Sequence, residues 1–279
     1  PTKVGQIDVE GQMVVSGTYL YAIDWRGFHA FDIGSLQRVG LLLLSDRSSG
    51  LAVEGIYAFL AGDNLEVIDI SQPANPRRVG GCAELGGGYY GQIAVAGGRA
   101  CVVGDGLLRV FDVSDPANPR MTGECSVSGR AGSTTAIVVA GDCAYVAAPA
   151  AGVDAPAAGV EVFDIRDPAY PRRVGGNSAF DAHALAIADG RLHVAAGGQG
   201  LAILSLYQPP RLESLRWDAQ GFHLLLRGPT GQMMRLDRSR DLRIWEPFAT
   251  IPIPASGQTL IDPAATTEPY LFYRAVSVP

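Results

Sequence analysis

The residues best suited to chemistry are Asp181 and His183. Two positions apart on an extended backbone, their side chains point to one face, so a carboxylate can orient an imidazole for acid–base work. If the start of the chain folds back onto its last repeat, Glu10 joins them. His183, Asp181 and Glu10 are therefore the candidate catalytic residues of a hydrolase acting on ester, phosphoester or glycosidic bonds. They are equally the candidate ligands of a divalent metal ion, the one possible cofactor. The opposing reading of the pair is a hydrogen-bonded loop histidine. His29, His193 and His223 fall inside strand patterns and read as packing or surface positions. The string Gly86-Gly87-Gly88-Tyr89-Tyr90-Gly91 matches G-x-G-x-x-G by letter, but a strand and no helix follows, so it does not read as a nucleotide loop. No G-x-S-x-G, H-E-x-x-H or C-x-x-C occurs.

Composition narrows the classes. The chain has 279 residues, 35 of them Gly and 18 Pro, which suits many short strands joined by tight turns. A net charge of −6 argues against a nucleic-acid partner, and no apolar run is long enough to span a membrane as a helix.

What must position the candidate residues is a repeat. Leu65-Glu66-Val67-Ile68-Asp69-Ile70-Ser71-Gln72-Pro73-Ala74-Asn75-Pro76-Arg77-Arg78-Val79-Gly80 returns as LRVFDVSDPANPRMTG from Leu108 and as VEVFDIRDPAYPRRVG from Val160. Weaker copies run over Phe28–Gly40 and Leu201–Leu206. The spacing of about 40 residues is that of a four-stranded propeller blade. Each unit divides into a small-sided inner strand, a second strand, the motif strand, a D-P-A-x-P turn and an edge strand such as Arg77–Gly81. The prolines end strand pairing, and the Asp of D-P is expected to cap the turn through its side chain. The recurrent Asp32, Asp69, Asp112 and Asp164 read as architectural, since Ser205 replaces them in the last copy. An Ala/Gly/Pro insertion, Pro149–Ala158, lengthens the fourth unit. Pro1–Gly5 resembles an edge strand, and the last unit lacks one; the expected fold is thus an all-β, five-bladed β-propeller closed by the N-terminal strand. The rival is a longer propeller truncated upstream of Pro1.

These lines resemble the LVIVD repeat family over residues 1–206. The resemblance implies a propeller and a secreted, periplasmic or cell-surface setting, with any leader absent from this chain. It implies no common activity. Residues 207–210 read as a linker, and 211–279 as a small β-sandwich loosely resembling fibronectin-III-like domains of secreted bacterial proteins. Trp217 and Trp245 are expected in its core.

In a propeller, the loops entering each inner strand and those joining second to third strands share one face, around the axial mouth. That face gathers the ligand-binding candidates Gln12, Trp25, Arg26, Arg47, Tyr89, Tyr90, Gln92 and Arg130, with Ser48, Thr134, Asp24, Asp63, Asn64, Asp105, Asp154 and Gln199 beside them. The leading expectation is a binding or interaction module for a small molecule, glycan or protein, and the hydrolase is the alternative. Cys82–Cys101 and Cys125–Cys143 bridges would staple neighbouring blades; four buried free thiols are the other reading.

Overall fold

In the computed structural model the described residues are 6–7, 9, 11–83, 85, 91–128, 136–148, 159–207, 210–228, 233–254, 256–267 and 270–277. The chain divides into two compact units, Pro1–Leu206 and Tyr207–Pro279.

The first unit is a succession of antiparallel meanders. Sheet one holds β1 (Met13–Ser16), β2 (Tyr19–Asp24), β3 (Gly27–Asp32) and β4 (Arg38–Leu42). Sheet two holds β5 (Ser48–Glu54), β6 (Tyr57–Gly62), β7 (Leu65–Asp69) and β8 (Arg77–Cys82). Sheet three holds β9 (Gln92–Ala96), β10 (Arg99–Gly104), β11 (Leu107–Asp112) and β12 (Arg120–Ser126). Sheet four holds β13 (Ala136–Ala140), β14 (Cys143–Ala148), β15 (Gly159–Asp164) and β16 (Arg172–Asn177). Sheet five, three-stranded among the described residues, holds β17 (Ala184–Ala188), β18 (Arg191–Ala195) and β19 (Leu201–Ser205). The first strands lie side by side in order, β1 by β5, β5 by β9, β9 by β13 and β13 by β17. This is a β-propeller-like arrangement. The expected closing strand Pro1–Gly5 and the insertion Pro149–Ala158 lie outside the described residues, and β19 leaves Leu201 and Ile203 exposed.

The repeated line explains the stacking. Its strand is buried on both faces, so it needs apolar side chains on both sides, and the β-branched and aromatic residues supply them. Leu65 and Val67 pack with Val102 and Phe111 of sheet three, while Ile68 packs with Tyr21, Ile23 and Phe28 of sheet one. Each fully buried Leu, Ile or Phe of this kind contributes about 1.5–3 kcal/mol. Polar residues on the same strand carry their own counter-charges. Glu66 pairs with Arg78 at 3.0 Å and Glu161 with Arg173 at 2.8 Å. In sheet three the signs reverse, with Arg109 on the third strand and Glu124 on the fourth, 3.2 Å apart.

The motif strands of sheets one to four each bulge against their edge strand at the same place, between Ala30 and Phe31, Val67 and Ile68, Val110 and Phe111, and Val162 and Phe163. A bulge there bends the edge strand and increases its twist. The motif Asp follows at once and closes the turn. Asp69 accepts the Ser71 N–H at 2.9 Å, Asp112 that of Ser114 at 3.0 Å and Asp164 that of Arg166 at 3.1 Å. The Asp of D-P makes the expected cap: Asp115 accepts the Ala117 N–H and Asp167 the Ala169 N–H, both at 3.1 Å. The proline loop then locks onto the neighbouring sheet. A Cβ on Gly40 would overlap the Pro73 carbonyl oxygen, one on Gly80 that of Pro116, and one on Gly123 those of Pro168 and Ala169. The glycine of one repeat is thus the seat for the proline turn of the next, Q-P-A in sheet two and D-P-A in sheets three and four.

In the second unit, β20 (Arg211–Asp218), β21 (Gly221–Arg227) and β24 (Gln258–Asp262) form one three-stranded sheet. The other consists of β22 (Met233–Ser239), β23 (Glu246–Pro252) and β25 (Phe272–Ser277). Leu226, Met234, Leu236 and Ile253 form their shared core. Trp217 is not in it: it is 58% exposed, resting against Phe222. Its place on the outer strand β20 lets its alternate face meet solvent. Trp245 is half-buried beneath the Arg274 guanidinium, 4.3 Å from the ring centroid.

None of the four cysteines is held in a disulfide; Cys101 and Cys143 are buried, while Cys82 and Cys125 are only half-buried. Burial pushes the Cys101 thiol up to about 12 and those of Cys125 and Cys143 up to about 11. They behave as small apolar residues between sheets, with little thiolate to react.

Three outcomes follow. Gly80→Ala drives a methyl into the Pro116 carbonyl and is expected to cost about 1–3 kcal/mol. Gly34→Ala, whose added carbon meets only the Asp32 side chain at 3.5 Å, stays within about 0.5 kcal/mol of the parent. Equal urea midpoints for the two variants would remove the interlock. A thiol titration without reductant should give four thiols after denaturation and slow reaction before it; two or none after denaturation would restore the disulfides. Hydrogen bonds from Ser71 and Arg77 hold the Asp69 carboxyl at about 2, against an ordinary 3.8. Its stabilising effect is complete above the ordinary value and is lost as pH falls through about 2, so Asp69→Asn should flatten the loss of stability between about pH 4 and pH 2.

Candidate functional site

The site grows out of a local rule for turning β2 into β3. Asp24-Trp25-Arg26-Gly27-Phe28-His29 begins with a carboxyl whose Oδ1 accepts the Arg26 N–H at 2.7 Å and the Gly27 N–H at 3.2 Å. The same oxygen meets His29 Nε2 at 2.9 Å. Gly27 has φ +148°, and a Cβ there would overlap the Leu42 carbonyl, so only glycine fits. Burial pushes the Asp24 carboxyl up, but the bonds from His29, Arg26 and Gly27 outweigh it and hold the group below the usual carboxylate range. Asp24 is therefore ionised at neutral pH, and the buried His29 is its support rather than a reactive group. Trp25, at the tip, is 81% exposed, with the Arg26 guanidinium 4.7 Å from its ring centroid.

The adjoining wall is the segment running from β4 into β5. Asp46 Oδ2 accepts the Asn64 side-chain amide at 2.9 Å, and the Arg47 carbonyl accepts the Asp63 N–H at 3.0 Å. Between the two walls lies a cavity of about 690 Å3 lined by Gln12, Asp24, Trp25, Asp46, Arg47 and Ser48, among others. Its volume falls within the ~300–1,000 Å3 of small-molecule sites. Arg47 already has a partner within the fold. Asp24 Oδ2 and Asp46 Oδ1 accept no hydrogen bond from the described residues. The cavity thus offers these two acceptor oxygens beside the Ser45 and Ser48 hydroxyls and the Trp25 indole N–H.

Several of the sequence-derived residues fall in or beside this cavity, Asp24 and Ser48 among its lining, but in different roles. Trp25 and Arg47 line it and Arg26 covers one side of Trp25. Gln12 and Gln92 are committed to structure: Gln12 Nε2 donates to Gln92 Oε1 at 2.5 Å, while Gln12 Oε1 accepts the Leu51 N–H. That one side chain ties the entrances of sheets one, two and three together. Asp181 and His183 lie on the segment entering β17, outside the cavity lining. His183 is exposed and its N–H donates to the Ala195 carbonyl at 2.9 Å, while Asp181 is half-buried with its interactions made inside the fold. Glu10, Tyr89, Tyr90, Arg130, Thr134 and Asp154 lie outside the described residues. Among the described residues, no three His, Cys, Asp or Glu side chains stand close enough to hold a metal ion.

The pairing of Asp24 with His29 was not read from the sequence, although a signal was present. Asp218-Ala219-Gln220-Gly221-Phe222-His223 repeats the D-x-x-G-F-H frame in the second unit. There Asp218 Oδ1 accepts the Gln220 N–H at 2.9 Å and meets His223 Nε2 at 3.0 Å, and Gly221 has φ +128°. His29 and His223 are accordingly buried structural residues. A cavity of about 190 Å3 in the second unit is bounded by Arg238, Ser239 and Asp241, whose polar atoms already serve Asp262 and the Ser239–Ile244 turn.

If His29 only supports Asp24, His29→Gln, which keeps one donor, should preserve the hairpin. His29→Leu, which leaves the carboxylate without it, should cost about 1–3 kcal/mol in thermal or urea unfolding. Equal stability of the two variants would dismiss the support role.

No curated protein sequence matches the chain. Among solved structures, the computationally designed Ika8 protein aligns over 87% of this chain and 75% of its own, at 12% identity and a TM-score of 0.51. Hsv2 of Kluyveromyces lactis aligns over 87% and 86%, at 12% identity and a TM-score of 0.46. BamB from Moraxella catarrhalis aligns over 70% and 69%, at 13% identity and a TM-score of 0.40. Identities this low speak to fold alone. Within the chain itself, residues 45–84 and 87–127 each match the pattern of the LVIVD repeat, so the chain carries two LVIVD repeats.

Proposed function

We propose that the protein is an extracytoplasmic binding module whose ligand sits in the cavity between the Asp24–Gly27 hairpin and the Asp46–Ser48 segment. In this reading, Pro1–Leu206 is a five-bladed propeller closed by Pro1–Gly5, the cavity is one sector of its axial mouth, and Tyr207–Pro279 is a spacer or docking piece. The observation that carries it is the cavity itself. It holds an ionised, buttressed Asp24 with an open oxygen and a second open carboxyl oxygen on Asp46, beside an indole left 81% exposed. An exposed tryptophan of this kind leaves apolar area in water that a ligand could cover. The tied Gln12–Gln92 rim supports a pre-formed site, which lowers the ordering cost of binding. The extracytoplasmic setting rests on the LVIVD repeats alone.

A thermal-shift screen against a library of neutral, cationic and anionic small molecules tests the reading. A stabilising compound should lose its effect in Trp25→Ala, a variant that touches only an exposed side chain. Stabilisation unchanged in Trp25→Ala would move the site elsewhere. A panel of chromogenic esters and glycosides should show no turnover; turnover that disappears in both His183→Ala and Glu10→Ala would replace the binding module by a hydrolase.

A further inference from the structure

We infer that the cavity at Asp24, Trp25 and Asp46 recognises a neutral saccharide of one or two pyranose rings; the inference rests on the binding reading above and names its ligand class. Three observations combine. The first is which hydrogen-bonding capacity remains. Asp24 Oδ1 is filled by two backbone N–H groups and His29, Asp46 Oδ2 by Asn64, and both amide atoms of Gln12 by Gln92 and Leu51. Asp24 Oδ2 and Asp46 Oδ1 accept nothing from the described residues, and the Ser45 and Ser48 hydroxyls and the Trp25 indole N–H can donate, so the complementary ligand both donates and accepts hydrogen bonds. A bond from a hydroxyl to an ionised carboxylate is among the stronger neutral-to-charged contacts.

The second is charge. The lining holds two acidic side chains, Asp24 and Asp46, and one basic one, Arg47, and a second guanidinium, that of Arg26, lies against the Trp25 ring at its edge. An ammonium ligand would gain the carboxylates but meet both arginines, and a phosphorylated one would meet the reverse. A neutral polyol uses the open acceptors and meets no like charge. The third is the exposed apolar surface. Trp25 stands 81% exposed at the cavity edge, with Arg26 against its ring. A flat indole suits the C–H face of a pyranose, whose hydroxyls then point sideways toward the carboxyl groups. A cavity of about 690 Å3 accommodates a small sugar without reshaping.

The test is isothermal titration of the whole chain with maltose, cellobiose, chitobiose and lactose, alongside glucose 6-phosphate and lysine amide as charged probes, each up to millimolar concentrations. At least one disaccharide should bind saturably. Its affinity should fall about tenfold or more in Trp25→Ala and in Asp46→Asn, with unfolding midpoints unchanged in both. Binding of a charged probe only, lost in Trp25→Ala, would overturn the saccharide while leaving the cavity a binding site. Binding of no probe, or disaccharide binding unchanged in both variants, would overturn both readings.

Discussion

The first unit depends on one steric fit, the passage of a proline-loop carbonyl over a residue with no side chain. Gly40, Gly80 and Gly123 each lie beneath the proline turn of the following sheet, Q-P-A at Gln72 and D-P-A at Asp115 and Asp167. The fit sets the distance between sheets, and the apolar side chains of the motif strands then fill what lies between. It also explains why so many parts of the repeat travel together. The bulge bends the edge strand toward its neighbour, the motif Asp fixes where the third strand stops, and the D-P Asp holds the turn that makes the contact. Remove the glycine and the remaining devices aim a loop at an occupied position.

The candidate site is built on the opposite principle. Apart from the Gly11-Gln12 pair, which returns as Gly91-Gln92, its lining follows no repeat, because Trp25, Asp46 and Arg47 do not set the distance between sheets. Its rigidity comes instead from three local commitments: Asp24 to its own turn, Asp46 to Asn64, and Gln12 to Gln92 and Leu51. Among the described residues those commitments leave a pair of acceptor oxygens, beside the Ser45 and Ser48 hydroxyls and an indole that is 81% exposed. The chemistry of the cavity is thus defined by the groups that structure does not consume.

Much of this was legible in the sequence, for a physical reason. Strand period, turn prolines and small residues are local demands, so the boundaries of the meanders could be read from single copies, and the architectural role of Asp69, Asp112 and Asp164 from comparing them with Ser205 in the last copy. The role of Gln12 could not. Its partners are Gln92 and Leu51, and only the assembled sheets bring them within reach. Trp217 illustrates a different limit, because aromatic content on a strand does not say which face of an outer strand is covered. Asp181 and His183 drew attention by their types and spacing, yet a two-residue spacing constrains only the direction of side chains. It says nothing about whether other groups face them.

The Asp-x-x-Gly-Phe-His hairpin occurs in both units with different tip residues, Trp25 and Arg26 in one and Ala219 and Gln220 in the other. All its defining bonds run between the Asp, the backbone and the His, so the frame is indifferent to what the two tip positions carry. Such a turn is a mount with interchangeable fittings. A lineage can exchange the aromatic and the cation at its apex for smaller or neutral groups, altering what the rim presents without renegotiating the sheet beneath.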